Sequence, residues 1–67
     1  MPIMKTENLT KALHSSEFVA NELRESYTDA VKSGDQFAQI VLLKLVGDAV
    51  ELNRKIAAAH EAATAIL

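Results

Sequence analysis

From Phe37 to Val50 the chain reads FAQIVLLKLVGDAV, and between Phe37 and Val46 only Gln39 and Lys44 interrupt the apolar residues. A helix this apolar around its circumference needs cover from more than one direction. The whole chain has 67 residues, close to the lower limit at which one core stabilises itself. What covers this stretch is therefore the question that most constrains the fold.

Upstream, Leu9, Leu13, Ser16, Ala20, Leu23, Tyr27 and Ala30 recur at alternating steps of four and three. This heptad seam predicts a helix over about residues 7–32. Thr6 is placed to cap it, with Glu7 against the positive end of the helix dipole. The stretch His14-Ser15-Ser16 has low helix propensity, so a break there, with Ser15 or Ser16 capping a helix from Glu17, stays open. Lys32-Ser33-Gly34-Asp35 is the clearest punctuation: Gly34 suits the left-handed residue that ends a helix, and Asp35 suits the cap of the next. Ser33 and Gln36 also have the spacing of a capping box. A connection this short predicts two antiparallel helices.

The second helix is expected over about 36–66, roughly 45 Å at 1.5 Å per residue. Its seam reads Ala38, Leu42, Leu45, Ala49, Leu52, Ile56, Ala59, Ala63 and Ile66, and Leu45, Leu52 and Ile56 are expected to face Leu13 and Leu23. Lys44–Asp48 and Glu51–Lys55 stand four residues apart on a solvated face. Leu43, Val46 and Val50 flank the seam, and Ile40 and Gly47 lie beyond them. One facing helix cannot cover both bands. The predicted fold is all-α, a single antiparallel helical hairpin over 1–67, completed into a bundle by a partner or a second copy. Ile40, Leu43, Val46, Gly47 and Val50 are the candidate partner-binding residues. A homodimer core and a heterologous partner both satisfy such a patch. Gly47 reads as a tolerated weak helix position or as a place where a partner helix crosses closely.

Composition narrows the function classes. No cysteine is present, which excludes disulfides and Cys-based metal sites and is compatible with the cytoplasm. MPIMKTENLT carries no secretory signature, and the uninterrupted run Ile40–Leu43 is far short of the ~20 apolar residues of a membrane helix. A soluble, cytoplasmic chain is expected. Net charge is −2, and of seven Lys and Arg only Arg54 and Lys55 adjoin. Phosphate-backbone binding needs a concentrated basic surface, and three aromatics, Phe18, Tyr27 and Phe37, are too few for base stacking. Nucleic acid is thus a disfavoured partner. Two helices do not readily enclose a substrate pocket. His14 is expected level with Arg54 and His60 with Asn8, far apart, and neither belongs to an HExxH motif. Both read as ordinary surface or packing histidines. No catalytic residue, cofactor, metal or small-molecule substrate is expected, and the chain is not read as an enzyme.

The segment GDQFAQIVLLKLVGDAVELNRKI, Gly34 to Ile56, has a glycine turn, a Gln-aromatic-x-Gln start, paired leucines and an Ala-x-Glu step before an isoleucine. In this it resembles the small E-type co-chaperones of bacterial type III secretion needle subunits. The resemblance implies a helical hairpin that docks on a helical-repeat chaperone, the pair shielding an aggregation-prone needle subunit before export. The alternative is a homodimeric four-helix bundle regulating nucleic acid, similar to the RNA-binding hairpins that control plasmid copy number.

Overall fold

The computed structural model describes residues 6–65. The expected lead-in at 1–5 and the last seam position, Ile66, lie outside that range. Helix α1 spans Thr6–Ser33 and helix α2 spans Gln36–Ala65. They pack side by side as an antiparallel hairpin, a rod of 53 × 15 × 14 Å with a radius of gyration of 15.5 Å. A compact chain of this length has a radius near 11 Å. The elongation follows directly from two helices with nothing stacked on them.

The turn is built by residues 30–38. Gly34 has φ 73°, the left-handed conformation that costs a side-chain-bearing residue most. The Gly34 amide donates to the Val31 carbonyl at 3.2 Å and the Asp35 amide to the Ala30 carbonyl at 3.0 Å. These two bonds form a Schellman motif, which satisfies carbonyls that the end of α1 leaves free. Asp35 then turns to the next helix, its Oδ1 accepting the Ala38 amide at 3.0 Å. Asp35, not Ser33, is therefore the cap of α2.

Helix α1 runs unbroken through His14-Ser15-Ser16. The Ser16 hydroxyl folds back to donate to the Leu13 carbonyl at 2.9 Å, so it satisfies itself inside the helix instead of ending it. All seven seam positions of α1 are buried or half-buried, as their spacing predicts. The buried ones, Ser16, Ala20 and Ala30, are small. Small side chains let the helix axes approach, and they leave little apolar surface for α2 to cover.

Helix α2 accordingly departs from its predicted seam. The column Leu42, Ala49, Ile56, Ala63 faces α1 and is half-buried. The second column is Gln39, Val46, Asn53, His60, also half-buried, while Leu45, Leu52 and Ala59, one residue earlier, are exposed. The helix is rotated from the expectation that Leu45 and Leu52 point at α1. The reason lies in the polar partners that α1 offers. Asn53 Nδ2 donates to Ser16 Oγ at 2.8 Å, and Gln39 Nε2 reaches the Ala30 carbonyl at 3.4 Å. His60 Nε2 lies 2.9 Å from Thr10 Oγ1. The Thr10 hydroxyl already donates to the Thr6 carbonyl at 2.9 Å, so its single proton is used and His60 Nε2–H is the donor. Among the described residues no buried side-chain polar atom lacks a partner. Polar residues at such positions fix register at some cost in stability.

Candidate interaction surfaces

No large apolar side chain of the described residues is fully buried. The hairpin instead displays most of its apolar residues on two distinct faces, with Phe18, 65% exposed, on the outer side of α1 away from both.

Glu17, Ala20, Asn21, Arg24, Val50 and Asn53 line one shared groove, which fixes the flanks of α1 and α2 that adjoin on this side. Here lie the residues expected to bind a partner. Ile40 is 71% exposed and Leu43 59% exposed, and together with Tyr27, Gln36 and Gln39 they edge a shallow hollow near the turn. Phe37, 78% exposed, continues this surface around the start of α2. Gly47 is exposed and Val50 half-buried in the groove. Val46 is not beside them: it is half-buried in the column that faces α1, between Gln39 and Asn53. An added Cβ on Gly47 meets nothing within 4 Å, so the hairpin itself does not require glycine there.

The opposite face follows from the same geometry. Val19 and Leu23 lie on the other side of the α1 seam from Glu17 and Arg24. Val41, Leu45 and Leu52 lie on the other side of the α2 seam from Val50. Val19 is 50%, Val41 42%, Leu45 42% and Leu52 55% exposed, and Leu23 is half-buried. On α1 this flank continues through Ala12, Ser15 and Ser26, with Glu22, one heptad on from Ser15, at its outer edge. Asp48 and Lys55 mark its outer border on α2, each paired along its own helix: Lys44–Asp48 at 3.8 Å and Glu51–Lys55 at 3.8 Å. The seam expectation hid this face, because it assigned Leu45 and Leu52 to the hairpin core. The signal that marks it in the sequence is the uncharged α1 column Ala12, Val19, Ser26 and Ser33, each seven residues from the next.

His14 is exposed, and His60 has the packing role described above, two positions along α1 from its expected level with Asn8. Among the described residues no three His, Asp or Glu side chains gather as metal ligands, and no helix is long and apolar enough to cross a membrane. Comparison with known protein families, with curated proteins and with solved structures finds no match to this chain.

Proposed function

We propose that this chain is a non-enzymatic interaction module that docks through α2 on a helical partner, in the manner of the type III secretion co-chaperones that its Gly34–Ile56 segment resembles. The observation that supports this reading is the exposed group Phe37, Ile40 and Leu43 on the first turns of α2. Further along α2 come exposed Gly47 and, in the groove, half-buried Val50, a track along which a second helix can lie. Burying a Leu or Phe fully is worth about 1.5–3 kcal/mol, so three anchors of this kind suffice for specific association. A helical-repeat chaperone in the cytoplasm is the proposed partner. Nucleic acid fits less well: among the described residues Lys11, Lys44 and Lys55 each stand beside an acidic residue on their own helix, and Arg24 and Lys32 share a hollow with Glu25 and Asp29.

The test compares tagged parent protein with Leu43→Ser, each purified from the native host. A helical-repeat protein recovered in stoichiometric amount with the parent, and lost with the variant, is the expected result. Recovery of the tagged chain alone, or equal recovery of the partner with Leu43→Ser, removes the basis for this reading.

A further inference from the structure

We infer that the face opposite the groove, carrying Val19, Leu23, Val41, Leu45 and Leu52, binds a second copy of this chain. The two hairpins lie antiparallel, and the twofold axis passes beside Leu52. This self-association is separate from docking through Ile40 and Leu43, which lie on the other side of α2.

Area is the first argument. The chain exposes 5210 Å², whereas a compact monomer of 7.3 kDa exposes about 4,200 Å². A rod carries such an excess over its whole surface; on this face it is contributed by Val19, Val41, Leu45 and Leu52, exposed by 50%, 42%, 42% and 55%. Both helices contribute to this face, and the α1 column Ala12, Val19, Ser26 and Ser33 beside the seam is uncharged, with Glu22 at its outer edge. The groove face, by contrast, has Glu17 and Arg24 beside its apolar residues.

The choice of a second copy rests on complementarity of size and charge. With α2 antiparallel to its twofold mate about Leu52, heptad spacing sets Leu45 across from Ala59 and Val41 across from Ala63, large against small. Leu52 meets its own copy. The same axis brings Asp48 next to Lys55 of the second copy, twice by symmetry, on the border of the interface. Helix α1 gives an independent check. Asn53 bonds Ser16, so Leu52 stands level with Glu17, and an axis at that level sets Val19 across from Ser15 and Leu23 beside Lys11 and Ala12. On α1 the pair Val19 and Ser15 thus matches large to small about the same axis as Leu45 and Ala59 on α2, near the middle of the rod. The parallel arrangement fails this comparison. It sets Leu23 level with Leu45, and Ala12 level with the alanines of the α2 C-terminal half, crowding one end and leaving the other empty.

Sedimentation equilibrium of the purified chain over micromolar concentrations tests the inference, with Leu52→Glu and Leu43→Ser as variants and circular dichroism as the check on helicity. Leu52 is largely exposed in the single hairpin, so Leu52→Glu retains its helices. Two glutamates meeting at the axis raise the dimer dissociation constant about a hundredfold or more. The parent and Leu43→Ser are expected to be dimers. A second measurement does not depend on that variant folding: Leu52→Cys, in a chain otherwise free of cysteine, is expected to oxidise to a disulfide-linked dimer, whereas Leu43→Cys stays reduced under the same mild oxidant. A monomeric parent throughout, a dimeric and helical Leu52→Glu, or preferential cross-linking through Leu43→Cys overturns the inference. A dimer that survives Leu43→Ser keeps this result separate from the proposed docking face.

Discussion

The bond between Asn53 and Ser16 decides which side of α2 faces α1, and a double-mutant cycle measures it. Single substitutions alone mislead here. Asn and Ser are each up to about 0.7 kcal/mol poorer than Ala in a helix interior, so Asn53→Ala and Ser16→Ala gain in propensity part of what they lose in bonding. In the cycle that gain cancels, and only the coupling is left. A neutral hydrogen bond contributes about 0.5–1.5 kcal/mol net. Ser16 is buried and Asn53 half-buried, and after Ser16→Ala the Asn53 amide keeps a long contact of 3.5 Å to the Leu13 carbonyl. A coupling of about 1 kcal/mol follows. In a domain of this size it corresponds to about 4–8 °C in Tm. Thermal and urea unfolding of the four proteins, followed by circular dichroism at one fixed chain concentration, supplies the number. Coupling within about 0.3 kcal/mol of zero refutes the reasoning and restores the register with Leu45 and Leu52 inward. In that register Leu52→Ala costs about 2–5 kcal/mol in the hairpin. In the observed one, with Leu52 more than half exposed, it costs about 1 kcal/mol.

Gly34→Ala places a side chain at φ 73° and is expected to lower stability by about 1–2 kcal/mol, with Gly34→Asn losing less; an unchanged Tm for Gly34→Ala argues against the left-handed turn. Gly47→Ala has open space for its Cβ and is expected to raise stability by about 1 kcal/mol. If its thermal unfolding does not rise, something approaches Gly47 that the hairpin alone does not contain, and partner binding by the same variant then shows whether that is a crossing helix.

Much of the fold was legible because local chemistry and periodicity agreed. Gly34 takes the left-handed conformation its place suggested, and of the two cap residues left open, Ser33 and Asp35, the structure uses Asp35. The α1 seam was legible even at Ser16, since spacing outweighed polarity there. What misled was the second column of α2. Hydropathy ranks Leu45 and Leu52 far above Asn53 and His60 for burial, and nothing within α2 contradicts that ranking. The contradiction comes from across the interface, where Thr10, Ser16 and the Ala30 carbonyl offer hydrogen-bond partners and the buried side chains are too small to enclose a leucine. Pairing between distant segments carries that information. Of the candidate partner residues, Ile40, Leu43 and Gly47 are displayed as their angular positions suggested. Val46 turned inward with the same rotation that turned Leu45 and Leu52 outward.

The polar links between the helices also order the events by which the hairpin closes. Gln39 and Ala30 are 9 residues apart, Asn53 and Ser16 37, His60 and Thr10 50. Closing the longest of these loops from an open chain costs about 1.5 kcal/mol more in entropy than closing the shortest. A chain that first sets Gly34 and Asp35 avoids that difference, because each link made brings the next pair within reach. Folding then runs as a zipper from the turn outward, with local contacts first and the helix ends last. Amide protection, measured by hydrogen exchange, is expected to be greatest near Ala30 and Gln39 and to fall toward Thr10 and His60. The segments around Thr10 and His60, joined by the link that closes last, are then the first part of the rod expected to come apart.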